Sequence, residues 1–235
     1  MRQMCLDMVY ELAKEDPRIF FIGSDLGANT LDKFKEEMPS RFLMEGISEA
    51  NVVGMATGMA LEGKIPYVNT IATFITRRCY EQVVLDASLH NVNVRLIGNG
   101  GGLVYAPLGP THLAIEDLAI MRAIPNMTIV APTDADEMRR LMLQTVDYPG
   151  PLYIRLAKGG DPIVSREDLP CRIGKGVKVK DEGRVLVVTT GISLQIALEA
   201  ITMLGSAGAD VSVLHLHTVK PLDEEALLEM VEPAE

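Results

Sequence analysis

The chain is 235 residues long, 48% hydrophobic and 23% charged, with 20 Gly, 13 Pro and no Trp. That apolar content fills one large domain or two smaller ones, and it excludes a disulfide mini-protein, a collagen-like fibre and a disordered acidic tail. With 22 Lys and Arg against 32 Asp and Glu, the net charge is −10, and no basic run offers a surface to nucleic acid or to an anionic membrane.

Met4, Cys5, Met8, Val9 and Leu12 recur at helical spacing, and Asp16-Pro17 ends that helix. Ile19-Phe20-Phe21-Ile22, closed by Gly23, reads as a strand buried on both faces. The alternation continues with a strand over 41–44 and a helix over 48–61, then a strand over 65–69 and a helix over 74–89. A strand over 92–97, a glycine loop and a helix over 115–124 follow. A strand over 127–130 ends at Pro132, a helix spans 134–145, and a strand over 152–154 closes the series. Strands separated by helices of this length predict an α/β fold built on a doubly wound parallel sheet.

The composition changes after Lys158, where Gly159-Gly160-Asp161-Pro162 and Asp168-Leu169-Pro170 read as a linker. A first domain is expected over 1–165 and a second, smaller α/β domain over 175–235. The second reads as strands over 176–180, 185–189 and 211–215, with helices over 193–204 and 223–231. It stops where a further strand is due, so an incomplete domain is expected. Cys5, Cys79 and Cys171 contain no C-x-x-C pair and read as reduced thiols. No stretch approaches the ~20 apolar residues of a membrane span, and the N-terminus lacks a signal-peptide pattern, so a cytoplasmic location is expected.

Glu49 opens a helix whose next residues, Val52 to Ala60, are small or apolar almost throughout, which predicts a helix buried all round. Ser48 and Glu49 suit an N-cap and a first-turn acid favoured by the helix dipole. A carboxylate leading into so apolar a helix is also desolvated, which raises its pKa and fits it for proton exchange. Phe74, Arg77, Arg78 and Tyr80 follow the third strand at its carboxyl end, where open α/β sheets place ligands; Phe74 and Tyr80 either wall one pocket or are core residues, with Arg77 and Arg78 a solvated corner.

Gly98-Asn99-Gly100-Gly101-Gly102 has no helix behind it to bind phosphate, and reads as a wall where a ligand approaches backbone. His112 lies at a further strand-to-helix junction on the same edge. Arg155 and Lys158 end the last strand of the first domain and are either surface charge or an anion site. His215 and His217 share one face of a strand with no Cys or carboxylate nearby in sequence, and read as structural.

In order, Gly46-Ile47-Ser48-Glu49, Thr73-Phe74 with Tyr80, Gly109-Pro110-Thr111-His112 and Arg122-Ala123-Ile124-Pro125-Asn126-Met127 resemble the pyrimidine-binding domain of transketolase. Deoxyxylulose phosphate synthase shares these motifs. The resemblance covers roughly residues 1–160, and residues 175–235 resemble the start of the transketolase C-terminal domain. It implies thiamine diphosphate as cofactor, with Glu49 protonating the aminopyrimidine ring nitrogen. It places Phe74, Arg77 and Tyr80 in the aminopyrimidine pocket, and Asp25 and Leu26 beside the cofactor. His112 corresponds to a histidine that contacts substrate and assists proton transfer, and Lys158 falls near an arginine that grips the substrate phosphate.

Two departures bear on the sugar. Pro107-Leu108 replaces Glu-Asp before the Gly-Pro-Thr-His motif, and Asn99 stands where transketolase has a substrate-binding His. The family's Gly-Asp-Gly…Asn-Asn segment, which holds Mg²⁺ and the diphosphate, occurs nowhere in the 235 residues.

The expectation is therefore the C-terminal subunit of a split transketolase, moving a two-carbon ketol unit between sugar phosphates or related sugars. It would work with an N-terminal partner subunit that carries the diphosphate domain and most Mg²⁺ contacts, and would itself form a homodimer. A deoxyxylulose-phosphate-synthase-like enzyme, the beta subunit of a 2-oxoacid dehydrogenase, and a non-catalytic α/β binding module are the alternatives.

Overall fold

The computed structural model describes residues 1–24, 30–157, 159–181, 183–205 and 210–231. The first part of the chain runs α1 (Arg2–Glu15), β1 (Ile19–Gly23), α2 (Asp32–Glu37), β2 (Phe42–Met44), α3 (Glu49–Leu61) and β3 (Ile65–Ile71). It continues with α4 (Ala72–Ile75), α5 (Tyr80–Gln82), a π-helical turn over Val83–Ser88, β4 (Arg95–Asn99) and α6 (Asp117–Ala123). Then come β5 (Thr128–Val130), α7 (Ala135–Met142) and β6 (Leu152–Leu156). The remainder is β7 (Val177–Lys180), β8 (Val185–Thr189), α8 (Ser193–Leu204), β9 (Val211–His215), β10 (Thr218–Lys220) and α9 (Glu224–Val231).

The large sheet has the order β10-β5-β6-β4-β3-β1-β2 and is parallel except for β10. Its apolar strands carry a core on each face. On one face Phe21, Ile97 and Ile154 pack with Leu6 and Val9 of α1, Phe34 of α2 and Met138 of α7. On the other, Ile22, Val68 and Leu96 pack with Val52 and Val53 of α3, Ile75 of α4 and Met121 of α6. A second, three-stranded sheet of order β7-β9-β8 forms the smaller domain. The expected α/β architecture with a doubly wound, mainly parallel sheet is observed.

The helix α2 falls where no element was expected, and three further elements differ from expectation for local reasons. The helix expected over 74–89 breaks after Ile75. There the Thr76 hydroxyl donates to the Ala72 carbonyl (2.7 Å) and the Cys79 thiol to the Phe74 carbonyl (3.2 Å), drawing side chains onto backbone acceptors and turning the chain. The helix expected from 115 starts at Asp117, because Ala114 is held in a two-residue bridge to Gly102. Thr218–Lys220 forms an unanticipated strand, antiparallel to β5, so the second part of the chain adds an edge to the first sheet.

That edge belongs to a polar clasp. Asp134 caps α7 through the Asp136 and Glu137 amides (3.0 and 2.9 Å), while its other oxygen accepts from the Val164 and Ser165 amides (2.8 and 2.6 Å). Three residues on, buried Glu137 accepts from the Thr133 amide (2.7 Å) and lies 3.2 Å from His215 Nε2. Donor atoms of Glu137, Cys171 and His217 lie within 4.8 Å of one another. The expectation that the two histidines lack a carboxylate or thiol neighbour is therefore overturned: folding brings both from residues distant in sequence. Arg140 shares this space, and Glu137 is already engaged, so the cluster reads as a clasp rather than a cation site.

Burial pushes the His217 imidazole down to about 4. The unfolded chain takes up that proton near the ordinary value of 6.5 and the folded chain resists it, so the clasp is fully stabilising above pH 6.5 and weakens as pH falls towards 4. A loss on the order of 3 kcal/mol is expected across that window. Urea midpoints measured against pH should fall less steeply for His217→Gln than for the wild type, and parallel slopes would refute the assignment.

Candidate active site

The strand order reverses between β1 and β3, because the chain leaves β1 for β2 on one side and returns to β3 on the other. Crossovers then cover opposite faces and leave a crevice at the carboxyl ends of these two strands. Ser24 lies just past β1, and its hydroxyl donates to Thr70 Oγ1 near the end of β3 (2.6 Å). Ser24, Ile47, Glu49, Ile71, Phe74, Arg78 and His112 line a cavity of about 450 Å³ there.

Glu49 is the first residue of α3 and is only 2% exposed. Ser48 occupies the N-cap position, but its hydroxyl reaches back to the Glu45 carbonyl (3.4 Å) and does not cap the helix. The helix is not buried all round: Val52, Val53, Ala56 and Thr57 form its buried face, and Leu61 is exposed. Glu49 Oε2 instead accepts from Arg78 Nη1 at 2.8 Å. The Arg78 guanidinium lies over the Phe74 ring, with Cζ 3.8 Å from its centroid. The other neighbour of Phe74 is His112, edge-on with ring centroids 5.2 Å apart. His112 is held through Nδ1 by the Thr111 hydroxyl (2.9 Å), and Thr111 is tied by its carbonyl to the Thr73 hydroxyl (3.2 Å). Burial, then the negative charge of Glu49, pushes the adjacent Cys79 thiol up to about 12, so that thiol stays neutral.

The fold thus brings Glu49, Phe74 and His112 to one cavity. Arg77 lies on its outer side, where it pairs with Glu116 (3.0 Å), donates to the Pro110 carbonyl (3.1 Å) and lines an adjoining cavity. Tyr80 packs into the α3 side of the core and donates its hydroxyl to the Ile120 carbonyl (2.9 Å). Asn99 is buried at the end of β4 and donates to Asn69 Oδ1 (2.8 Å) and the Thr70 carbonyl (3.0 Å). Asp25, Leu26 and Lys158 lie outside the described residues.

Arg155 is committed inward. Its Nε donates to buried Asp117 Oδ2 (2.8 Å), which also accepts from the Tyr153 hydroxyl (2.8 Å). The glycine loop serves the same inward packing: a Cβ on Gly101 would meet Arg155 Nε at 2.5 Å, and one on Gly100 the Tyr105 ring at 2.1 Å. Side chains of this chain, rather than a ligand, approach that backbone. Arg78 was missed as a site residue. No signal in the sequence marks it, because the turn that brings Arg78 to Glu49 and Phe74 lies beyond the helix end at Ile75.

Comparison with known proteins agrees with this geometry. The transketolase pyrimidine-binding domain family matches residues 1–160, and the transketolase C-terminal domain family matches residues 174–235. The chain belongs to the transketolase family. It is 36% identical over 229 residues to the 6-deoxy-6-sulfo-D-fructose transketolase subunit SqwH of Clostridium sp. strain MSTE9, covering 97% of this chain and 71% of that protein. It is 34% identical over 233 residues to an apulose-4-phosphate transketolase subunit of Phocaeicola vulgatus, covering 98% and 75%. Among solved structures, a split-gene transketolase described as an inactive beta4 tetramer superposes with a TM-score of 0.89 at 34% identity, covering 99% of this chain and 76% of that one. The chain is a transketolase-type subunit.

The Asp117–Arg155 pair should be structural. Asp117→Ala leaves a half-buried guanidinium and the buried Tyr153 hydroxyl without their acceptor, and should cost about 3 kcal/mol in denaturant unfolding. A loss under about 1 kcal/mol, the range of an exposed pair, would show the bridge to be dispensable.

Proposed function

We propose that this chain is the C-terminal-type subunit of a thiamine-diphosphate-dependent transketolase that moves a two-carbon ketol unit between sugar phosphates or related ketoses and aldoses. The observation that carries the reading is the shared cavity in which a buried carboxylate, an aromatic face and an imidazole converge. Membership of the family implies use of thiamine diphosphate, and the residues present fit its aminopyrimidine. A flat ring of mixed polarity finds the Phe74 face, a ring nitrogen finds the Glu49 carboxylate, and the cavity of about 450 Å³ has room for it.

When bound, thiamine diphosphate supplies the carbon nucleophile and the electron sink for ketol transfer. The chain's own residues do the rest. Glu49 holds a proton against the ring nitrogen in a site where water is scarce, so the shared proton is not lost to solvent. Phe74 supplies a stacking wall and excludes water. With Nδ1 engaged by Thr111, His112 keeps Nε2 for a substrate hydroxyl and its proton.

The partner is an N-terminal subunit carrying the diphosphate domain and Mg²⁺ contacts. The Gly-Asp-Gly…Asn-Asn segment is absent from the 235 residues. Both named relatives are subunits, and the split-gene chain was an inactive beta4 tetramer, which supports a chain that acts only in a complex. Ile47 on the rim of the cavity is 87% exposed, an apolar contact suited to such a partner. Two copies of each chain about a twofold axis, in the cytoplasm, complete the reading. No described helix is long and apolar enough to cross a membrane.

Three outcomes test it. With thiamine diphosphate and Mg²⁺, the chain alone should show no ketol transfer from xylulose 5-phosphate, and activity should appear on adding the N-terminal subunit; robust turnover without a second polypeptide would overturn the partner requirement. In the assembled enzyme Glu49→Gln should lower turnover by more than about tenfold, or ~1.4 kcal/mol of barrier, with an unchanged melting temperature. Phe74→Ala should raise the half-saturating thiamine diphosphate concentration more than it lowers saturated turnover.

A further inference from the structure

Arg78 belongs to no motif that carries the family resemblance, yet it touches both groups assigned to the cofactor ring. We propose that Arg78 is a positioning residue for this site: its guanidinium, laid between the Phe74 face and Glu49, fixes the carboxylate and the aromatic wall in the relative placement that the aminopyrimidine requires. The proposal deepens the reading above and rests on it.

Two contacts of different kinds meet on one planar group. Nη1 donates to Glu49 Oε2 at 2.8 Å, and Cζ lies 3.8 Å from the Phe74 ring centroid. A carboxylate 2% exposed loses nearly all its hydration, which costs several kcal/mol unless a charged donor replaces the water. Arg78 is the cation found bonded to it among the described residues. The Arg78 side chain itself is 39% exposed, so one end of the pair keeps its solvation while the other is held dry.

The planarity matters as much as the charge. A guanidinium stacks on an aromatic face and donates in its own plane, so fixing it on Phe74 also fixes the direction from which it holds Glu49. A lysine ammonium would supply the charge without that plane. Arg77, one residue earlier, cannot substitute, because its guanidinium is engaged by Glu116 and the Pro110 carbonyl. The break in the helix after Ile75 makes this division possible: the turn through Thr76–Cys79 takes Arg77 to Glu116 and Pro110, and Arg78 to Glu49 and Phe74.

The test uses the assembled enzyme carrying Arg78→Met or Arg78→Lys, with folding checked by melting temperature and subunit assembly. Thiamine diphosphate binding is measured by equilibrium titration, and saturated turnover is measured separately. Arg78→Met should raise the dissociation constant tenfold or more, and should lower saturated turnover at least tenfold even when all sites are filled. Arg78→Lys should recover turnover to within a few fold of wild type while recovering affinity only in part, since it restores the charge but not the stacked plane.

Binding by Arg78→Met as tight as wild type or tighter, with saturated turnover unchanged, would overturn the proposal and show that the guanidinium merely fills the cavity until the ring displaces it. Equal losses in both variants would also overturn it, because charge would then count for nothing. If the wild-type assembly itself binds no thiamine diphosphate, the proposed function fails first and takes this inference with it, an outcome plainly separate from the other two.

Discussion

A parallel sheet must return its chain over one face or the other after every strand, and the change of direction between β1 and β3 places the crevice of this molecule. α2 covers the face of β1 that carries Phe21, and α3 and α4 cover the face that carries Ile22 and Val68. With crossovers on opposite faces, the described residues leave a crevice beyond the carboxyl ends of β1 and β3. Ser24, Ile71 and the first residue of α3 must border that space. The crevice is a consequence of winding, and the side chains around it determine what it can do.

The two parts of the chain depend on each other through the opposite edge of the same sheet. β10 returns from the smaller domain to pair with β5, and Asp134 and Glu137 at the start of α7 hold the linker and His215 at the end of β9. α7 packs against α1, so movement of the smaller domain is resisted by the core under the large sheet as well as by the edge strand. The site lies near the other end of the strand order, and α6 connects the two: Lys220 donates to the Arg122 and Ile124 carbonyls, and Tyr80 donates to the Ile120 carbonyl.

Much of the fold was legible because its signals are local. Apolar runs such as Ile19-Phe20-Phe21-Ile22, bounded by turn residues and alternating with helical periods, specify buried parallel strands wherever the chain later places them. β10 was not legible. Three residues, Thr218-Val219-Lys220, carry too little pattern, and their pairing with β5 depends on tertiary placement. The break after Ile75 was hidden for a related reason, since it arises from hydrogen bonds of the Thr76 hydroxyl and Cys79 thiol, which hydrophobic periodicity does not register. Of the site, Glu49, Phe74 and His112 could be placed on one sheet edge from their strand-to-helix junctions, but their roles came only through the resemblance to transketolase. Arg78 escaped because two adjacent arginines look alike in sequence and only the turn distinguishes them.

The ambiguity of Glu49 was a physical one, and the structure shows why sequence alone could not resolve it. Glu49, Asp117 and Glu137 are all buried acids in the first turn of a helix, those being α3, α6 and α7. Each gains from the helix dipole, and each has a partner that comes from a distant element: Arg78, Arg155 and His215. Dipole and partner together offset desolvation, so all three satisfy the same local rule and would look equally structural in a sequence window. The difference lies in what surrounds the pair. Asp117 is sealed beneath Tyr153 and the glycine loop, and Glu137 beneath the linker and the second domain. Only the Glu49 pair, of the three, borders a cavity large enough for a ring. A buried acid at a helix start is thus a recurring structural solution in this fold, and of the three only Glu49 borders a crevice at the strand-order reversal.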